Sequence, residues 1–371
     1  MQSYPVELLQ EMLETYSPSG SETQLTHLLH GHAQSHGLSS RIDKVGNLIC
    51  ETGDRGPRVL LCGHMDTVTG EIPVRREGDL LFGRGAVDAK SSLAAMFVGA
   101  IQAHERSLPV HITVAGMVEE ETTSRGVREL IRGNEHYDLA VFGEPSGVSN
   151  LILGYKGSVR LHVSFETTTG HSASPWLYKS SYDESFKFWT KFEKELLNNN
   201  SESKFTSITG CVTGSQAGDS TNTVPASASL DIDVRIPPGI TVDEMTGRIR
   251  QLVEDYENHN PEVSVSIASK DESAPFLARD NSQVVSAFRW AIRNYLERPV
   301  AFVRKTGTSD INLFARTQDA PMLAYGPGDS SLDHTDDEHV SITEYLNSIE
   351  IYSAVLARFA ELSKVAQAPI G

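Results

Sequence analysis

Apolar residues in the first 150 positions follow two rhythms that take turns along the chain. Val6, Leu8, Leu9, Met12 and Leu13 repeat at helical spacing, and Leu25, Leu28 and Leu29 do so behind Ser21-Glu22-Thr23-Gln24, which has capping-box form. Short, mainly apolar runs intervene near 48–51, 59–62, 112–118 and 139–142, as expected of strands covered on both faces. With a helix over about 90–104 among them, the stretch predicts an α/β fold: a mostly parallel sheet with helices on both faces.

From about Ser158 the rhythm changes. Val159 to Phe165 and Ser227 to Arg235 alternate apolar and polar residues, the signature of an antiparallel sheet with one covered face. Helical patterns over 182–197 and 242–256 accompany them, giving an α+β unit of domain size. Helical spacing over 284–296 and 311–315, a short strand at 322–323 and a long helix from Ile342 then return to the first style. This order predicts one discontinuous domain, residues 1–157 and 270–371, with a second α+β domain, 158–269, inserted into it.

At 371 residues the chain is longer than one hydrophobic core usually organises, which agrees with two domains. The formal net charge of −17 argues against nucleic acid or an anionic membrane as a general partner. Three widely spaced cysteines, Cys50, Cys62 and Cys211, suit reduced thiols in a cytoplasmic protein. The first residues lack the basic and apolar stretches of a secretory signal, and no run has the length and apolarity of a membrane span.

The chemistry gathers where the apolar runs end. Val59-Leu60-Leu61-Cys62 leads into Gly63-His64-Met65-Asp66, the run ending at Val118 into Glu119-Glu120-Glu121, and Leu139-Ala140-Val141-Phe142 into Gly143-Glu144-Pro145. Asp88 closes Gly83-Arg84-Gly85-Ala86-Val87-Asp88, and His334 follows Leu332-Asp333. Strand ends of one sheet edge would bring these groups together, and converging carboxylates repel unless cations lie among them. Singly each has an ordinary reading: a solvated acidic loop, a turn, a surface histidine. The series is what predicts a hydrolytic two-metal site, with His64, Asp88, Glu121, Glu144 and His334 as ligands and Asp88 as the bridge. Mixed imidazole and carboxylate donors suit zinc or cobalt better than magnesium. Asp66, two residues beyond His64, is placed to accept the second imidazole N–H and orient the ring. Glu120 is placed as the base that takes a proton from water and delivers it to a leaving amine.

In this order the motifs resemble those of the M20 metallopeptidases, over nearly the whole chain. The resemblance implies a dinuclear-zinc catalytic domain with an inserted lid that commonly dimerises. It implies that His64 and Glu144 bind one Zn2+, Glu121 and His334 the other, and Asp88 both, with Asp66 and Glu120 in the roles above. The triplet is ambiguous by one place; the family spacing from the ligand to a following glycine matches Glu121 to Gly126. His334 is preferred to His339 because the family ligand precedes an acidic residue and a strand-like run, here from Glu338.

In the expected lid, Gly170-His171-Ser172-Ala173 resembles the family's histidine that reaches across the dimer to the scissile carbonyl. Asn222 and Arg235 resemble lid residues that hold the polar end of the substrate or the lid sheet, and Lys156 and Thr308, in the two further motifs Gly154-Tyr155-Lys156-Gly157 and Lys305-Thr306-Gly307-Thr308-Ser309-Asp310, are expected to bind the substrate with them. Within the family these motifs look most like the LysW-lysine/ornithine hydrolases, which release lysine or ornithine from the amino-group carrier protein LysW in lysine or arginine biosynthesis. That carrier is acidic, so a chain at −17 would need a local basic rim; Arg75, Arg76, Arg84, Lys156, Arg160, Arg304 and Lys305 are its candidates. An N-acetylornithine deacetylase or succinyl-diaminopimelate desuccinylase shares every metal residue and is the rival enzyme. A catalytically silent, metal-stabilised binding protein is the rival of another class, against which Glu120 argues.

Overall fold

A computed structural model of the chain describes residues 3–218 and 220–366. Two compact units share the chain. The first runs to Leu153, resumes over Ala278–Val303 and again from Ser309; the second comprises Gly154–Leu277 and Arg304–Thr308. The second unit thus starts at Gly154 and not at 158, ends at Leu277 and not at 269, and also takes in 304–308, which sequence patterning assigns to the first domain.

Across the sheet of the first unit the strands run Ser39–Ile42, Leu48–Thr52, His111–Met117, Arg58–His64, Leu139–Phe142, Met322–Ala324 and Asn150–Tyr155. The four from His111–Met117 to Met322–Ala324 are parallel, whereas the pairings outside them are antiparallel. The sheet is therefore mixed, which corrects the expectation of a mostly parallel one. One cause is local. Asp43 Oδ1 accepts the N–H groups of Val45, Gly46 and Asn47 at 2.9, 3.0 and 3.0 Å, closing a tight loop between the first two strands that only an antiparallel pair can use.

Helix Lys90–Glu105 is buried along nearly its whole length and packs against the long helix Ile342–Ala366. Phe97, Ile101, Tyr352 and Phe359 of these helices join Leu8, Leu9 and Met12 of helix Ser3–Glu14 in one core. Each such side chain contributes about 1.5–3 kcal/mol by burial. Helix Thr23–Ser35 begins without the expected capping box: its N-cap is Glu22, which makes no side-chain cap bond. Glu22 Oε1 instead accepts the N–H of Gly20 at 2.9 Å and that of Glu119 at 3.0 Å.

The second unit holds a four-stranded antiparallel sheet ordered Thr209–Ala217, Ser227–Ile236, Gly157–Glu166, Ser264–Ser273. Helices Ser181–Leu196 and Val242–His259 cover one face, where Phe165, Phe188, Ile232, Ile249 and Tyr256 form its own core. Thr241 and Glu244 build a complete capping box at the start of Val242–His259. Cys50 and Cys62 are buried free thiols and Cys211 an exposed one. Among the described residues no helix is long and apolar enough to cross a membrane.

Candidate metal centre

The parallel strands of the first unit deliver their carboxyl ends to one edge, and the loops that follow carry the chemistry. His64 is the last residue of its strand. Asp88 ends a turn that passes through Gly85 at φ +89°, where a β-carbon would also stand 2.9 Å from the Lys90 and Thr67 side chains, so glycine is required twice over. The Glu119-Glu120-Glu121 loop is pinned from beneath by Asn47, whose Oδ1 accepts the Val118 N–H at 3.1 Å and whose Nδ2 donates to Gly126 O at 3.0 Å. At Gly126 a β-carbon would lie 2.6 Å from Asn47 Oδ1 and Val118 N, which explains a glycine after the triplet.

His64, Asp88 and Glu121 each bring a ligand atom within 4.8 Å of the other two. His64 Nε2 lies 3.1 Å from Asp88 Oδ1, and His334 Nε2 lies 3.3 Å from Asp88 Oδ2 and 3.0 Å from Glu121 Oε1. The two oxygens of one carboxylate thus face two different imidazoles. Donors each roughly 2.0–2.2 Å from a shared cation are about 3–3.5 Å apart in tetrahedral or octahedral geometry, so the spacing and the mixed N,O donor set fit a zinc-like ion on either side of Asp88. Glu144, buried at the next strand end, accepts the Ser309 hydroxyl at 2.6 Å. His339 turns away, its Nδ1 at 2.6 Å from Asp337 O and its ring 4.7 Å from that of Phe82.

Asp66 is fully buried, but its contact with His64 differs from the one expected. The imidazole Nδ1 is 2.9 Å from the Asp66 backbone oxygen and 3.6 Å from the carboxylate, too far for a hydrogen bond to the latter. The carboxylate is occupied elsewhere: it accepts the N–H groups of Glu120 at 3.0 Å and Glu121 at 3.1 Å, and the Ser19 hydroxyl at 2.6 Å. The ring is oriented by the main chain, and Asp66 shapes the acidic loop. Its carboxyl is held below the usual range, against its burial, by His64 and these donors.

Crowding shows in the titration of the neighbouring groups. Burial pushes the Glu120 carboxyl well above its ordinary range; His64 opposes this, and Asp310, Glu144 and Glu121 add to it. Asp310, which sequence reasoning passed over, is buried and pushed up to about 7, first by burial and further by Asp66 and Glu144, against His64 and Ser124. His334 is pushed up to about 10 by its bonds to Asp88 and Glu121, a state that lasts while protons and not cations satisfy those carboxylates. Ser309 and Asp310 directly follow Thr308 in its motif, and an apolar-poor Thr-Ser-Asp run carries no local sign of burial.

The remaining candidates lie in the second unit. His171 is exposed, in a short ladder with Thr223, and Ser172 N–H donates to Asn222 O at 3.0 Å, so His171 and Asn222 are neighbours. His171 Nδ1 accepts the Ala173 N–H at 3.1 Å, which leaves the neutral ring's proton on Nε2. Arg235 pairs with Asp233, Nε to Oδ1 at 2.8 Å and Nη2 to Oδ2 at 2.9 Å, and directs Nη1 toward Thr308 Oγ1 at 3.4 Å. Lys156 is a correction. Its side chain is buried and donates to Lys204 O at 3.1 Å, Ser207 O at 2.6 Å and Thr209 Oγ1 at 2.7 Å, so it holds 204–209 in place and does not offer its ammonium to a substrate. The expected basic rim loses Lys156 and also Arg84, which is buried and paired with Glu338.

The chain matches the model of peptidase family M20/M25/M40 over residues 60–358. It belongs to that family. It is 31% identical to a LysW-lysine/LysW-ornithine hydrolase of Saccharolobus solfataricus, covering 93% of each chain, and 32% identical to a LysW-lysine hydrolase of Deinococcus radiodurans, covering 95% of this chain and 96% of that one. A tripeptidase of Staphylococcus aureus shares the fold with a TM-score of 0.83 at 20% identity, over 97% of this chain and 99% of that one. So does the YXEP protein of Bacillus subtilis, described as a dinuclear metal binding peptidase of family M20, with a TM-score of 0.73 at 12% identity, over 97% of this chain and 98% of that one. This M20 chain is therefore a metal-dependent hydrolase, and its His64, Asp88 and Glu121 cluster is the candidate metal site.

Proposed function

We propose that this M20 hydrolase cleaves the amide joining lysine or ornithine to a carrier protein of the LysW kind, in lysine or arginine biosynthesis. The observation that carries the hydrolytic reading is Asp88, with one oxygen toward His64 and the other toward His334, near a half-buried glutamate at 120 whose carboxyl is raised. The substrate is taken from the relatives, whose names give this reaction over nearly their whole length.

In this reading His64 and Glu144 would hold one Zn2+ and Glu121 and His334 a second, with Asp88 serving both; Co2+ would serve as well. Bound there, the ions would supply Lewis-acid polarisation of the scissile carbonyl and acidify water. The other work falls to side chains. Glu120, whose carboxyl is raised by burial, takes a proton from water and hands it to the departing amine. Asp66 holds the N–H groups of Glu120 and Glu121 and so fixes which of the two faces the ions and which the water. His171, reaching across the proposed dimer, would donate from Nε2 to the developing oxyanion. Asn222, Arg235 and Thr308 receive the polar end of the substrate.

A homodimer through the second unit, acting as a lid, is part of the proposal. Trp176, Leu177 and Phe186 leave 77%, 66% and 58% of their surface exposed, close in sequence to His171, and large apolar side chains left so open support a protein contact there. The free thiols support a cytoplasmic setting.

The test is amine release by zinc-loaded protein from carrier-linked lysine and carrier-linked ornithine, run beside N-acetylornithine and N-succinyl-diaminopimelate. Release from the carrier alone is expected. Preference for a small acyl substrate would keep the hydrolytic centre and overturn the carrier assignment.

A further inference from the structure

Glu338 lies four residues beyond His334, its side chain is 1% exposed, and the hydrolytic reading gives it no role. One of its oxygens, Oε1, accepts three main-chain donors of the Asp88 turn: Gly85 N–H at 3.0 Å, Val87 N–H at 2.9 Å and Asp88 N–H at 3.1 Å. The other, Oε2, accepts Arg84 Nη1 at 2.9 Å. Its own carbonyl accepts the Gly83 N–H at 3.2 Å, next to the antiparallel pairing of His339 with Phe82. Arg84 completes the knot from the other side, donating to Gly70 O at 2.8 Å and Thr335 O at 2.9 Å.

We infer that Glu338 is a positioning residue that sets Asp88 and His334 in one geometry. The inference rests on the metal-centre reading given above. Turns are soft, and the Asp88 turn carries the one carboxylate shared by both histidines. A buried charge that three N–H groups and a guanidinium converge on is satisfied in only one arrangement of the loop, so the loop holds its shape whether or not a cation is bound. Because the same residue belongs to the segment of His334, the two ligands are fixed by one side chain. The 83–88 stretch thus has the look of an anion-binding turn, and the anion it binds is the protein's own glutamate.

Zn2+ binding by calorimetry with the wild-type chain and Glu338→Gln tests this, with amide hydrogen exchange of the metal-free wild type as a second readout. Glutamine keeps the oxygen for the three N–H groups but turns an amide toward Arg84. The expected result is metal affinity lowered by about 10–100-fold, the range for such supporting contacts, with Glu338→Asp weaker than wild type as well. Glu184→Gln is the control: that carboxylate is as deeply buried, but bonded to Tyr256 and Lys187 in the second unit, and its loss should lower Tm while leaving metal affinity unchanged. In the metal-free wild type, Gly85, Val87 and Asp88 N–H should exchange slowly. Unchanged affinity in Glu338→Gln, or rapid exchange of those three amides, would overturn the inference. Failure of the wild-type chain to bind metal would instead overturn the reading on which it rests.

Discussion

Asp233 in the second unit and Asp88 in the first show two opposite uses of charge. Asp233 meets Arg235 Nε at 2.8 Å and Arg160 Nε at 3.4 Å, and nearby Asp231 meets Lys270 Nζ at 2.7 Å. There each carboxylate has a cation of the protein's own, and the fold is served. Asp88 instead meets two imidazoles, those of His64 and His334, and Glu121 meets the second of them, while Glu120, Glu144 and Asp310 crowd the same strand ends. Like charges gathered in a low-dielectric place cost stability unless something from outside balances them. In the second unit these carboxylates are balanced from within; the first holds a deficit that a cation fills.

The comparison is broken most severely by removing that cation. Thorough chelation is expected to abolish amide hydrolysis, with Zn2+ or Co2+ restoring it, and activity that outlasts chelation would refute the metal role. Glu120→Ala should lower kcat by about 10²–10⁴-fold with metal still bound, as loss of a general acid–base does; metal analysis beside single-turnover kinetics separates the two effects. His171→Ala should lower kcat by about 10²–10³-fold, with the circular dichroism and Tm of the wild type retained.

A subtler consequence is a pH dependence confined to the metal-free protein. Asp310 has its carboxyl raised to about 7 in the folded chain against an ordinary value of 3.8, so between these values the folded state binds more protons than the unfolded one. Stability of the metal-free protein therefore falls as pH rises through that window. His64, raised well above 6.5, acts in the same direction: its stabilisation is full below 6.5 and is lost as pH rises through the folded value. Tm of the chelated protein should decline from about pH 5 to 8 relative to that of the metal-loaded protein, and parallel profiles would contradict the account. The smallest effect belongs to the second unit. Lys156→Met should cost about 1–3 kcal/mol in denaturant unfolding by stranding the Ser207 and Lys204 carbonyls, while KM stays unchanged; a raised KM would return Lys156 to the substrate site.

What was legible in the sequence is local. An apolar run followed by His-x-Asp announces a covered strand and the groups at its end, because both signals lie within ten residues of one another. The alternation of Val159 to Phe165 likewise marks a sheet covered on one face. What escaped depends on distant partners. Glu338 looks like one more acid in Asp336-Asp337-Glu338 until the fold brings it against Gly85 to Asp88. Asp66 was legible as a supporting group but not as the acceptor of the Glu120 and Glu121 N–H groups, since the carboxylate and the backbone oxygen of this one residue compete for the ring and the backbone oxygen wins. The antiparallel margins of the large sheet were hidden for a related reason: strand direction is set by the connections, and Asp43 and its three N–H bonds are a property of a loop.

In the proposed function Asp88 joins two cation sites at these strand ends. A Zn2+ titration of the metal-free wild-type chain and of Asp88→Asn, followed by calorimetry and metal analysis after dialysis, measures it directly. Two ions per wild-type chain, with both weakened by the single change, is the predicted result. One ion at most in the wild type, or loss of only one of two in Asp88→Asn, would contradict a shared bridge.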